Sequence, residues 1–250
     1  AFRQRLEQAQ TQLAMLERTP VSVPPGMYRA YLTPAAMYEL MTMFNWECVS
    51  EKSLRTKQSA LRRMRDEGLR LHESVSIAEN TRDGLAPGFQ EDGFIKPPLL
   101  EVIRNGELVN GLTSPRTAQE YGIASNGASG GESMAAIDMA GGSLEQANIL
   151  QQLGTGVYIS NLWYLNYSDR SNFRLTGMTR FASFWVENGE IKAPLNVMRF
   201  DDSVFKLLGD NLLGLTRERD MIIDSDSYEQ RGVNSARLPG ALVKDLTFVL

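Results

Sequence analysis

Apolar residues in the first 18 positions recur at helical spacing. Phe2, Leu6, Leu13 and Leu16 fall within about a quarter of a wheel that turns every 3.6 residues, so the segment predicts an amphipathic helix that needs a partner surface. The run TPVSVPPG breaks it, because proline lacks an amide donor and restricts the residue before it. Residues 1–22 therefore read as a connecting helix and linker, and a separate unit spans 23–250, helical over 33–70 and β-rich over 75–250. Within it MYRAYL predicts a strand. TPAAMYELMTMFNW predicts a helix with Thr33 as N-cap and Pro34 at its first position.

From residue 75 onward two Asn-Gly pairs stand between apolar runs. Asn105-Gly106 and Asn188-Gly189 accept the positive φ angles of a type I′ turn, so both mark antiparallel hairpins. Between them GGSLEQANILQQLGTG predicts a helix with Ser143 as cap, Gln146 completing a capping box and Gly154 as a left-handed stop. A second inserted helix is predicted in DDSVFKLLGDNLLGL, where Val204, Leu207, Leu208, Leu212 and Leu215 share one face. The final GALVKDLTFVL alternates like a closing strand. The fold class is α+β: N-terminal helices, then a mainly antiparallel β domain with inserted helices.

Composition narrows the partners. The 250 residues are 42% hydrophobic, enough for one large domain or two small ones, and 26 basic against 30 acidic residues give a net charge of −4. That balance argues against a broad nucleic-acid footprint. A single cysteine, Cys48, and no secretory segment point to the cytoplasm. The long uncharged run from Gln146 to Ser168 is diluted by Gln, Asn, Gly and Ser, so no membrane span is expected. The chain opens AFRQRLEQAQ without methionine, which leaves room for further sequence upstream. SEKSLRTKQSALRRMRDEGLR carries seven Lys or Arg against three acids and reads as a solvated face, with contact to an anionic partner as the alternative.

Familiar catalytic patterns are absent. The one histidine, His72, precedes Glu73, but Ser76 and Ile77 stand where HExxH or HExxxH needs its second imidazole. A serine or cysteine triad lacks its base, and Cys48 reads as a buried apolar group. SNGASGGES lacks the lysine and spacing of a P-loop and reads as a mobile turn. The acid pairs Asp201-Asp202 and Asp224/Asp226 suit a hard cation, although Asp202 also fits a helix start near Ser203.

What remains is GTGVYISNLWYLNYSDRSNFRLTGMTRFASFWVENGE, residues 154–190, where rings, amides and two arginines crowd a strand-like pattern. An edge strand can take an extended peptide as an added strand, with alternate side chains forming pockets. Tyr158, Trp163, Tyr164 and Tyr167 would supply walls; Asn161, Asn166 and Arg180 would bond carbonyls or a carboxylate. The alternative is core or subunit interface. Tyr158, Asn161, Trp163, Tyr164, Asn166 and Arg180 are thus candidates for peptide binding or interface, and no catalytic residue or metal ligand is assigned.

LGTGVYISNLWYLNYSD, LTGMTRFASFWVENGEIKAPLNVMRFDDS and LPGALVKDLTFVL together resemble the TldD/PmbA family, and the resemblance extends over about residues 20–250, its C-terminal part. It implies that a family N-terminal α+β domain is missing from this chain. It also implies a cytoplasmic peptidase system that matures peptide antibiotics and degrades an antitoxin, once called gyrase modulators. There a TldD-type subunit binds zinc through an HExxxH helix and a downstream cysteine, and pairs with a TldE or PmbA type lacking them around a chamber for small or unfolded peptides. Here the HExxxH helix would fall on TPAAMYELMTMF and the cysteine region near DSDSYEQRGV, neither of which holds a histidine or cysteine. The resemblance therefore implies the metal-free branch: a non-catalytic wall and interface subunit, a homodimer or heteromer with a TldD-like catalytic subunit, with no cofactor of its own and zinc only in the partner. The alternatives are an active metallopeptidase with an unusual metal site and a regulatory binding protein of the gyrase-modulator type.

Overall fold

A computed structural model describes residues 2–83, 86–224, 227 and 231–249. The elements in chain order are α1 (Phe2–Leu16), β1 (Gly26–Leu32), α2 (Pro34–Asn45), α3 (Glu51–Arg55), α4 (Arg62–Asp66), β2 (Ile77–Asn80), β3 (Leu99–Arg104), β4 (Glu107–Leu108) and α5 (Pro115–Tyr121). They continue with β5 (Ala136–Met139), α6 (Ile149–Leu153), β6 (Gly156–Ile159), β7 (Asn161–Asp169), β8 (Arg174–Arg180), β9 (Phe184–Glu187), β10 (Glu190–Pro194) and β11 (Arg199–Ser203). The last are α7 (Val204–Leu207), β12 (Leu212–Ile223) and β13 (Ser235–Phe248). This is the expected α+β class, with one large and mostly antiparallel sheet.

The sheet runs β10-β9-β6-β1-β13-β5-β2-β3-β4, with β12 and β11 also paired to β13, and β8 and β7 continuing outward from β11. β13 is the hub. Its start lies parallel to β5, its middle and end antiparallel to β1, its other partners being β12 and, at Phe248, β11. The closing segment was expected to alternate. In fact Leu238 through Val243 are all buried, and alternation begins only after Lys244. The reason is that the sheet is covered on both faces there. Ala241 and Val243 belong to the main core with Met37, Leu40, Met41 and Phe44 of α2, whereas Leu242 belongs to a smaller cluster with Tyr31, Ile149, Leu153 and Val186. Pro239, which has no amide to donate, sits beside a register shift in β12 between Leu215 and Arg219.

Thr33 caps α2, its hydroxyl accepting from the Ala36 amide at 3.3 Å. Both Asn-Gly turns have two positive φ angles, 48° and 78° at Asn105-Gly106 and 52° and 77° at Asn188-Gly189, and each joins the hairpin expected of it.

Four local expectations fail. Ser143 does not cap a helix: the backbone at Gly142 and Leu144 instead pairs with Leu215, Thr216 and Arg217, so a single 3-10 turn at Gln146–Asn148 precedes the short α6. Gly154 has φ 66° but ψ −103°, outside the left-handed helical well. The predicted helix over 204–215 stops after Leu207, and Leu212 and Leu215 enter β12 because pairing with β13 satisfies more backbone than a few further helical turns would. In α1, Leu6, Leu13 and Leu16 remain exposed, and it is the side bearing Thr11, Gln12 and Met15 that faces the domain.

The Gly-rich loop is anchored at its end. Glu132 at its end is almost fully buried and accepts from Ser50 Oγ at 2.6 Å, the Lys52 amide at 3.0 Å and the Ser114 amide at 2.8 Å. One carboxylate thereby ties the starts of α3 and α5 together. Burial pushes its pKa up, but these hydrogen bonds and one from Thr117 outweigh that and hold it below the usual carboxylate range. A depressed pKa contributes stability that is present above the unfolded pKa and disappears as pH falls through the folded one. Glu132→Gln should lower stability at neutral pH by about 2 kcal/mol and flatten the acid limb of a Tm-against-pH curve; an unchanged curve in thermal melts would contradict the role. For the second hairpin, Gly189→Val should cost on the order of 1 kcal/mol or more, since a β-branched residue resists positive φ, and an unaltered Tm would refute the turn's contribution.

Candidate functional site

The aromatic strands divide into an inward and an outward set. Facing in, Tyr167 Oη donates to the Met43 carbonyl at 2.8 Å and lies 3.1 Å from Cys48 Sγ, so it braces α2 against β7 and is no pocket wall. Phe184 is buried, and Trp185 packs edge-on against Tyr28 at 5.9 Å. Tyr158 sits between Tyr31 and Phe184, with ring centroids 5.4 and 6.2 Å away, and its pKa is pushed up to about 12 by burial and then by Asp220. It lines a cleft of about 610 Å3 between α1 and the sheet, together with Ser160, Asn161 and Asp220.

Facing out is a compact rim. β7 and β8 pair with Asn161 opposite Arg180 and Trp163 opposite Met178. The register then shifts between Trp163 and Asn166, where Tyr164 takes φ 56°. That bulge turns Tyr164 beside Trp163, their centroids 5.6 Å apart. The Arg180 guanidinium lies 4.3 Å over the Trp163 ring and 4.6 Å over Phe181, itself at φ 56°. Trp163, Tyr164 and Phe181 are 46%, 69% and 67% exposed. Each cation–π contact on such a surface contributes about 0.5–1 kcal/mol, which fixes the guanidinium without hiding the rings.

Of the six candidates the structure thus brings together Asn161, Trp163, Tyr164 and Arg180. Tyr158 opens to the cleft behind them, and Asn166 lies beyond the bulge, exposed and opposite Thr176. Outside those six, Phe181 directly follows Arg180 at the end of β8 and completes the rim, and Glu39 is the member that sequence reasoning missed. Glu39 of α2 lies close enough to Arg180 to be affected by it: burial raises the Glu39 pKa, and Arg180 partly offsets this. The rim therefore borders α2.

The remaining candidate chemistry resolves into structural contacts. His72 lies outside any helix, its Nδ1 2.8 Å from Ser74 Oγ. Asp201 is held by Arg174 at 2.6 Å, and Asp202 accepts from Lys206, the Ser203 amide and both donors of Thr247. Asp226 lies outside the described residues, as does much of the segment where a third zinc ligand would fall. α2 carries one acid and no imidazole, and burial raises the Cys48 thiol. Among the described residues no three His, Cys, Asp or Glu come together, so the donor set does not fit an HExxxH zinc site. No helix is long and apolar enough to cross a membrane among the described residues.

Comparison with known proteins places this geometry. Residues 25–249 match the PmbA/TldA metallopeptidase C-terminal domain. A 108-residue stretch, 43% of the chain, is 32% identical to metalloprotease PmbA of Escherichia coli O157:H7 and spans 23% of it. In fold the chain is similar to TldE from Thermococcus kodakarensis, with TM-score 0.79 and 16% identity over 98% of this chain and 55% of that one. It is also similar to a Thermotoga maritima protein described as a candidate DNA gyrase modulator, with TM-score 0.74 and 19% identity over 92% and 51%. The chain thus spans about half the length of these solved structures and less than a quarter of the curated relative. It belongs to the TldD/PmbA family, and residues 25–249 are its C-terminal domain.

Proposed function

We propose that this chain acts as a TldE/PmbA-like, non-catalytic part of a peptidase assembly for small or unfolded peptides, supplying chamber wall and subunit interface. The observation that carries the proposal is α2, whose sequence PAAMYELMTMFN holds neither histidine of HExxxH. Its inward side chains Met37, Leu40, Met41 and Phe44 build core instead. The rim of Trp163, Tyr164, Arg180 and Phe181 fits a protein contact, since exposed aromatic and arginine side chains are the usual anchors of interfaces. It fits strand addition less well. β7 is an edge interrupted by two register shifts, and a bulged edge resists a long extended partner. A cytoplasmic location and a TldD-like, histidine-bearing partner belong to this same reading.

Purified protein is expected to hold no stoichiometric zinc and to leave casein and short peptides intact. About one tightly held zinc per chain together with chelator-sensitive hydrolysis would contradict the reading and favour a metallopeptidase with an unusual site. The interface is tested separately by light scattering. The chain should associate with itself or with an HExxxH-bearing relative, and Trp163→Ala with Tyr164→Ala should weaken that association by roughly 2 kcal/mol or more. Association unchanged in the double variant would remove the rim from the interface.

A further inference from the structure

α3 and α4 fold the basic segment of residues 50–70 into a corner, and three of its cations converge there with Arg170 of the β7–β8 turn. Lys57, Arg62, Arg63 and Arg170 line a cavity of about 320 Å3 whose acidic lining residue is Glu47. We propose that this cavity is an anion site for the phosphoryl or pyrophosphoryl group of a small molecule.

Placement comes first. Ser59 lines the cavity while its hydroxyl, buried, donates to the Cys48 carbonyl at 2.5 Å and accepts from the Leu61 amide, which pins the 57–63 segment to the core. Arg170 is fixed from below, its guanidinium 4.4 Å over the Tyr167 ring and 2.7 Å from Glu47. Arg63 donates to Asn172 Oδ1 at 2.8 Å, and Asn172 is held in turn by Asp169. These guanidinia are oriented before any ligand arrives, and the planar fork of arginine suits phosphoryl oxygens.

Charge selects the ligand class. Glu47 engages Arg170, and two of the other three lining cations have exposed acidic partners outside the cavity lining. Asp66 stands 3.9 Å from Arg62, and Glu67, half exposed, pairs with Arg63 at 2.9 Å. Exposed pairs of this kind contribute little and exchange readily. Lys57 has no counter-ion among the described residues. A compact anion bearing more than one charge can displace the exposed acids and answer Lys57 as well, whereas a monocarboxylate would repeat Glu47. The cavity is local and concave on a chain of net charge −4, which favours a small anion over a nucleic-acid strand.

Calorimetric titration of the whole chain at low salt tests the site, with inorganic phosphate and pyrophosphate as probes and a glutamate-rich peptide as competitor class. Saturable one-to-one binding of pyrophosphate is expected, tighter than phosphate. Lys57→Ala with Arg62→Ala should weaken it at least tenfold, and Lys57→Ala alone should weaken it by a smaller factor at unchanged Tm. No saturation at millimolar pyrophosphate overturns the proposal. So does affinity retained in both variants, or preference for the acidic peptide.

Discussion

The fold rests on the hydrogen-bonding requirement of one strand. β13 is 14 residues long and buried through its middle, so its amides and carbonyls must find partners along both edges without water. Four strands answer that need: β5 and β12 near Ser235–Arg237, β1 and β12 around Ala241–Val243, and β11 at Phe248. This demand explains why Leu212 and Leu215 abandon a helical pattern, and why the chain near Leu144 pairs with Thr216 before α6 begins. It also leaves no room at Gly240, where a Cβ would lie 2.1 Å from the Tyr31 hydroxyl oxygen.

Around that hub the sheet separates structural aromatic residues from available ones. Tyr167 and Phe173 pack beneath α2, with Phe173 stacked at 6.2 Å on Phe44, while Trp163, Tyr164 and Phe181 are turned outward by positive φ at Tyr164 and Phe181. Non-glycine residues at positive φ carry a conformational cost, and such costs concentrate at functional surfaces. Of the eight such residues among those described, Tyr164 and Phe181 lie on the rim beside α2, the helix onto which the family resemblance maps the metal motif. Under the proposed role, a subunit contact at that place would let this chain border a partner's substrate.

The legible parts of the fold were those with a local cause. Asn-Gly fixes its turn through backbone preference, and Thr33-Pro34 starts α2 through one side-chain bond and one preset φ. Glu132 had no such signal. In a Gly-rich context it resembles a solvated loop acid, and only the arrival of Ser50, Lys52 and Ser114 from distant segments makes it a buried acceptor. The same holds for Lys96 and Glu79, an ion pair at 2.7 Å with both side chains nearly buried, which neither residue's surroundings announced. At the site, Asn161, Trp163, Tyr164 and Arg180 were legible as aromatic and polar residues out of proportion to one strand's core. Tyr167 was misassigned because side-chain alternation fails across a bulge.

The central claim, that the rim meets a partner while α2 serves as core, is tested most directly by hydrogen exchange on the chain alone and mixed with an HExxxH-bearing relative. The account predicts added protection at residues 161–165 and 180–181, with α2 and β13 already slow in the free chain and little changed. Complex formation with no added protection at the rim, or fast exchange in α2 of the free chain, would contradict it.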